Sequence, residues 1–234
     1  MNVKISYQTL QLPPPHAFAY TLDLSFVNDE VQIAYELEFL NRDDISREEI
    51  EAEGFSENDD YKWEGTLGNE WASLLHESLQ NIELEDESED FNIYLHVEMS
   101  ENGETRDGMV VLAEEWDYKL QELIQAIYEK AGIEKPLKML IQAIAGNQRA
   151  FYEVSGSFEK RAARINKTEI SWEALHDLMA DIYTIDFDQE PVKSPTKDGL
   201  WVDPDGESGY QRFEDQAGPK AEDIKKRILQ ALEV

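Results

Sequence analysis

The stretch WVDPDGESGYQRFE, residues 201–214, sets oxygen-bearing side chains at a spacing that could hold a hard cation. Counted from Asp203, Asp205 is third, Glu207 fifth, Gln211 ninth and Glu214 twelfth. A calcium-binding loop between two helices uses those positions and closes with a bidentate Glu at the twelfth. The set Asp203, Asp205, Glu207 and Glu214 therefore reads as a candidate calcium site. Three features oppose it. The sixth position is Ser208, and the glycine that the sharp turn needs comes one place late, at Gly209. The incoming flank, PVKSPTKDGLW, has two prolines and a glycine, so no helix enters. The outgoing flank reaches Gly218-Pro219 before a helix begins. DPDG at 203–206 also has Asp first, Pro second and Gly fourth, the pattern of a plain type I turn.

Other chemistry leaves weaker traces. Four histidines, His16, His76, His96 and His176, form neither HExxH nor HxH, so zinc has no local signature. His76 and His176 each precede an acid that could orient an imidazole, and His96 falls on the polar side of a strand beside Tyr94. There is no cysteine, which removes disulfides, thiol nucleophiles and thiolate metal sites together. GxSxG, GxxxxGK[ST] and GxGxxG are absent. SGS at 155–157 reads as a hairpin turn rather than a nucleophile elbow. With 51 acids, some carboxylates lie close by chance, so their spacing says little about acid–base catalysis. An enzyme with a site not visible as a motif stays open as an alternative.

Charge is the chain's unusual property. Lys plus Arg total 21 and Asp plus Glu total 51, a net of −30 over 234 residues. Residues 1–134 hold 33 acids and 7 bases, whereas 135–170 hold 7 bases and 3 acids. Such a field repels nucleic acid and anionic membrane surfaces and attracts cations and basic proteins. The strongest tract, 43–60, carries Asp43, Asp44, Glu48, Glu49, Glu51, Glu53, Glu57, Asp59 and Asp60 against Arg47 alone. With 83–90, six acids in eight residues, it could make a docking face for a basic protein. The alternative is a solvated surface, met in part by the basic 135–170 segment of the same chain or of a second copy.

These residues need elements to position them. Phe18, Tyr20, Leu22, Leu24 and Phe26 alternate, as do Val31, Ile33, Tyr35, Leu37 and Phe39. A two-residue Asn28-Asp29 turn would pair Phe26 with Val31 and Phe18 with Phe39, all on one face. Residues 3–10 add a strand, set off by PPP at 13–15. Ser46 and Glu49 form a capping box for a short acidic helix that stops at Gly54. A second helix fits 69–81. Phe91, Ile93, Leu95, Val97 and Met99 lead through Asn102-Gly103 into a second hairpin. Trp116, Leu120, Leu123 and Ile127 mark a helix over 114–130. Residues 136–145 fit a helix or a buried strand. Two short strands flank Ser155-Gly156, Ser171 caps a helix, 186–218 is irregular, and Gly218-Pro219 opens a last helix. EWASLLHESL and SWEALHDLM echo one another, through duplication or only because Trp and Leu are ordinary core residues.

The fold class expected is α+β, antiparallel sheet built from hairpins with amphipathic helices packed on one face. Two regions, 1–113 and 114–234, or one continuous domain would accommodate it. The absence of a signal-like or membrane-length apolar run points to a cytoplasmic protein. The functional expectation is a non-catalytic acidic interaction module for a basic protein, with the calcium-responsive loop and the hidden enzyme as alternatives. Neither nucleic acid nor membrane is an expected partner. A homo-oligomer through acidic and basic surfaces is another possibility.

Overall fold

The computed structural model describes residues 1–87, 92–184, 187, 190–215 and 221–233. They form an α+β fold of two antiparallel sheets, seven- and six-stranded, with five helices. The chain divides into two compact units, Met1–Ile127 and Tyr128–Val234.

Unit 1 is organised around β1 (Asn2–Thr9), which pairs with β2 (Phe18–Val27) on one side and β6 (Ile93–Glu101) on the other. β3 (Glu30–Phe39) and β4 (Tyr61–Leu67) extend the β2 side. β7 (Glu104–Val110) and the two-residue β5 (Leu84–Glu85) extend the β6 side. The first hairpin has the register its alternation requires, from Phe26 opposite Val31 to Phe18 opposite Phe39. Asn28 takes a φ of 58°, which an asparagine supplies to a two-residue turn at little cost. Asn102 and Gly103 do the same between Glu101 and Glu104. One sheet face is apolar: Val3, Ile5, Leu22, Leu24, Val31, Ile33, Leu95 and Val97 are all buried. The buried stripes of α2 (Asn69–Gln80) and α3 (Ala113–Ala131) complete this core, with Trp71, Leu75, Leu79, Leu120, Leu123 and Ile127 inside. Each such leucine or isoleucine contributes about 1.5–3 kcal/mol of burial. The short helix α1 (Arg47–Ala52) begins with both halves of the Ser46–Glu49 capping box. Leu84 and Glu85, inside the acidic stretch 83–90, pair with Val110 and Met109.

Unit 2 has the order β11-β10-β9-β8-β12-β13. Its strands are β8 (Leu137–Ala145), β9 (Gln148–Ser157), β10 (Ala162–Ile165), β11 (Thr168–Ile170), β12 (Gly199–Asp203) and β13 (Gln211–Arg212). α4 (Trp172–Ile182), capped by Ser171, and α5 (Ala221–Leu232) share a core with Met139, Ile141, Val154, Leu200 and Val202. Residues 136–145 are thus strand, not helix. Two expectations need correction. Ser155 and Gly156 lie within β9, and the turn comes at 158–161. A Cβ on Gly156 would stand 2.7 Å from Leu175 Cδ2, so this glycine admits a helix against the sheet rather than making a turn. The segment 186–218 is not wholly irregular, because GLWVD forms the fully buried β12, pairing β8. Phe91 and Gly218-Pro219 lie outside the described residues.

Candidate functional site

The acidic tract 43–60 is built around a cation that sequence reasoning passed over. Arg42 precedes the tract, and only 8% of its side chain is exposed. Its Nη1 donates to Ser56 O at 2.5 Å and to Asp59 Oδ2 at 2.8 Å, and its Nη2 to Pro15 O at 3.4 Å. The guanidinium lies 3.8 Å from the Phe39 ring centroid and 4.9 Å from that of Phe55. The signal was an arginine three residues after Phe39, at the border of an acid run. Asp59 also accepts from the Ser56 backbone and hydroxyl. Burial works to raise its carboxyl, but the Ser56 and Arg42 hydrogen bonds outweigh that and hold it below the usual value. Asp60 accepts from the Phe39 amide, and Glu49 closes the capping box. Three of the nine acids are therefore structural.

The other six face solvent with decreasing restraint. Glu51 and Glu57 pair with Arg47 at 2.7 and 3.9 Å, and Glu53 lies 3.6 Å from His16. Among the described residues, no ion-pair partner meets Asp43, Asp44 or Glu48. These three are the acids left open to an external cation.

The second surface is the sheet face of unit 1 opposite the core, where alternation places the polar residues. Register puts Glu64, Ala34, Asp23, Lys4, Glu98 and Asp107 in one row across six strands. The adjacent row runs Thr66, Gln32, Ser25, Asn2, Ser100 and Thr105. Lys4 thus stands between Asp23 and Glu98 at cross-strand distance. A shallow groove of about 580 Å³ lies over this region. A third row brings Ser6 opposite His96, and His96 Nε2 is 3.9 Å from Asp107 Oδ2. That separation exceeds a hydrogen bond, and the imidazole stacks on Tyr94 instead. His76 is 4.0 Å from Glu101, and His176 is 3.5 Å from Asp177 in unit 2. Each of the four histidines faces a different acid.

The 203–214 residues are distributed among separate tasks. Asp205 accepts from the Ser208 hydroxyl at 2.5 Å and from the Ser208 and Glu207 amides. Those bonds, the Ser208 hydroxyl foremost, push its carboxyl far below the usual range. Asp203, at the end of β12, is only 3% exposed. Burial first, and the Asp205 carboxyl second, raise its pKa. Glu207 pairs with Lys135 at 2.7 Å. Glu214 takes Lys225 Nζ at 2.5 Å and the Leu200 amide at 3.0 Å, and its side chain is 14% exposed. Gly199 makes room for it: a Cβ there would fall 2.7 Å from both Glu214 Oε2 and Arg212 Nε. Among the described residues, no three His, Asp or Glu side chains gather as a metal ion requires. Three of the seven bases in 135–170 form ion pairs within unit 2, Lys135 with Glu207, Lys138 with Glu153 and Arg164 with Glu169.

Among the described residues, no helix is long and apolar enough to cross a membrane. No family model matches the chain, and neither a curated protein nor a solved structure does.

Proposed function

We propose that unit 1 is a non-catalytic docking module for a basic protein. The observation that carries this reading is its uncompensated charge. Residues 1–127 hold 31 acids and only six bases, Lys4, Arg42, Arg47, Lys62, Arg106 and Lys119. Three of those bases already pair with acids of the same unit, Arg42 with Asp59, Arg47 with Glu51 and Lys62 with Glu36. The remaining acids create a field that accelerates encounter with a cationic surface and disfavours anionic ones. Asp43, Asp44 and Glu48 supply one open edge, and the Asp23, Glu98 and Asp107 row supplies a broad face.

The test separates docking acids from structural ones. Basic proteins captured from the lysate of the producing cells are purified, and their association rates are measured against the wild type and the triple variant Asp43→Asn, Asp44→Asn, Glu48→Gln. These substitutions leave the capping box and the Arg42 contacts in place. The expected result is association about tenfold slower at low salt, with the difference fading as salt screens the field. Unchanged rates, or a captured set that is not basic, would count against the proposal.

A further inference from the structure

Unit 1 also has a groove of about 510 Å³ between α2 and α3, within the ~300–1,000 Å³ typical of binding sites. Leu74, Ile82 and Trp116 form its apolar floor, and the exposed Glu77, Glu83 and Glu115 stand around it. Leu112 lies at its edge with 56% of its surface exposed, next to Val111 at 40%. The Leu112 carbonyl accepts the Trp116 amide at 3.2 Å, the first bond of α3. Leu112 therefore occupies the N-cap, where Ser, Thr, Asp or Asn would satisfy a free amide. This chain does use serine there, at Ser46 for α1 and Ser171 for α4. α2 begins at Gly68 with no side-chain cap, and α3 likewise forgoes one but places a half-exposed leucine at the groove's edge, where a polar cap would be the ordinary choice. Lys119 Nζ sits 5.0 Å from the Trp116 ring centroid and donates to Ser78 Oγ at 3.3 Å, so the three rim glutamates face one base of the chain's own.

The geometry points to one occupant, the apolar face of a basic amphipathic helix belonging to the partner. Helices dock in grooves by seating apolar side chains at i, i+3, i+4 and i+7 on the floor. Here Lys or Arg on the flanks of such a helix would meet Glu77, Glu83 and Glu115. A featureless polycation gains only the rim, and an uncharged apolar ligand only the floor. This inference rests on the docking reading above and names the site and the partner's form.

The test uses the full chain and two labelled synthetic Leu/Lys peptides of about 14 residues, roughly four helical turns. One carries its leucines on a single helical face; the other has the same composition with leucines spread around the helix. Fluorescence anisotropy should show the amphipathic peptide binding about tenfold more tightly. Leu112→Ser, which installs a favoured capping residue and so does not threaten α3, should erase most of that preference and leave the control unchanged. Glu77→Gln with Glu115→Gln should weaken both peptides. Equal affinities, or a preference insensitive to Leu112→Ser, would overturn the groove while leaving the docking reading standing if both peptides bind. Failure of both to bind at low salt would overturn the two together.

Discussion

Replacing Arg42 with methionine tests whether one buried cation organises the acidic tract. Methionine keeps the length and the contact with Phe39 but removes the charge. Each charge-assisted hydrogen bond is worth about 1.5–3 kcal/mol, and Asp59, with 29% of its side chain exposed, lies at the low end of that range. The bond to the Ser56 carbonyl and the stack over Phe39 add about as much again. Against this, Arg42 Nε is buried with no hydrogen-bond partner, a cost of about 1 kcal/mol that the variant escapes. The net loss should be about 2 kcal/mol. Urea denaturation of the full chain, followed by tryptophan fluorescence, measures it. A cycle with Asp59→Asn should return a coupling of about 1–2 kcal/mol. The pH dependence has a definite sign. Because the folded-state pKa of Asp59 is depressed, its contribution is present above the ordinary carboxylate pKa and is lost as pH falls through the folded value. The Arg42→Met effect should shrink in acid accordingly. A loss below about 0.5 kcal/mol at neutral pH, or no coupling to Asp59, would mean that Arg42 does not organise the tract.

Three other outcomes follow from unit 2 and from the overall charge. Asp203→Asn should raise stability at neutral pH, because the folded-state pKa of this buried carboxyl is raised; its ionised form is disfavoured above that pKa, and the gain should vanish in acid as Asp203 protonates. Chemical denaturation at pH 7 and at a pH below the ordinary Asp value measures both. Gly156→Ala should destabilise by about 1–3 kcal/mol, since the added methyl meets Leu175 at 2.7 Å in a packed core; a tolerant turn would show almost no change in the denaturation midpoint. Calcium, magnesium and sodium chloride at matched ionic strength should raise the Tm equally by screening the net charge of −30; a larger rise with calcium, abolished by Asp203→Asn, would restore a calcium site.

Most strands and helices of unit 1 were legible because each has one wet face, but β4 and the two-residue β5 were not read at all. Phe18–Phe26 and Val31–Phe39 alternate strictly, and a one-residue slip would turn every apolar side chain outward, so the register follows from the pattern. The central place of β1 was not legible, because alternation shows a strand but not which neighbours it pairs with. In unit 2, β12 was hidden among prolines and glycines: its five residues are buried throughout, so no alternation marks them. Gly156 was misread because a glycine that admits a neighbouring side chain looks, in sequence, like one that makes a turn. The acids of 43–60 were legible as a tract but not by role. The part that Asp59 and Asp60 play depends on Arg42 and the Phe39 amide, which approach only after β3 and β4 pair. The groove at Leu112 was absent from the sequence reading, although a leucine just before an acid-led helix, where a capping residue belongs, was a readable signal.

The docking proposal requires that unit 1, and not unit 2, receives a basic partner. Hydrogen–deuterium exchange of the full chain is measured with and without a basic protein captured from lysate. Added protection is expected within residues 1–127, in the open-face strands, the 43–60 tract and the start of α3, and none in 128–234. Protection confined to 128–234 would contradict it.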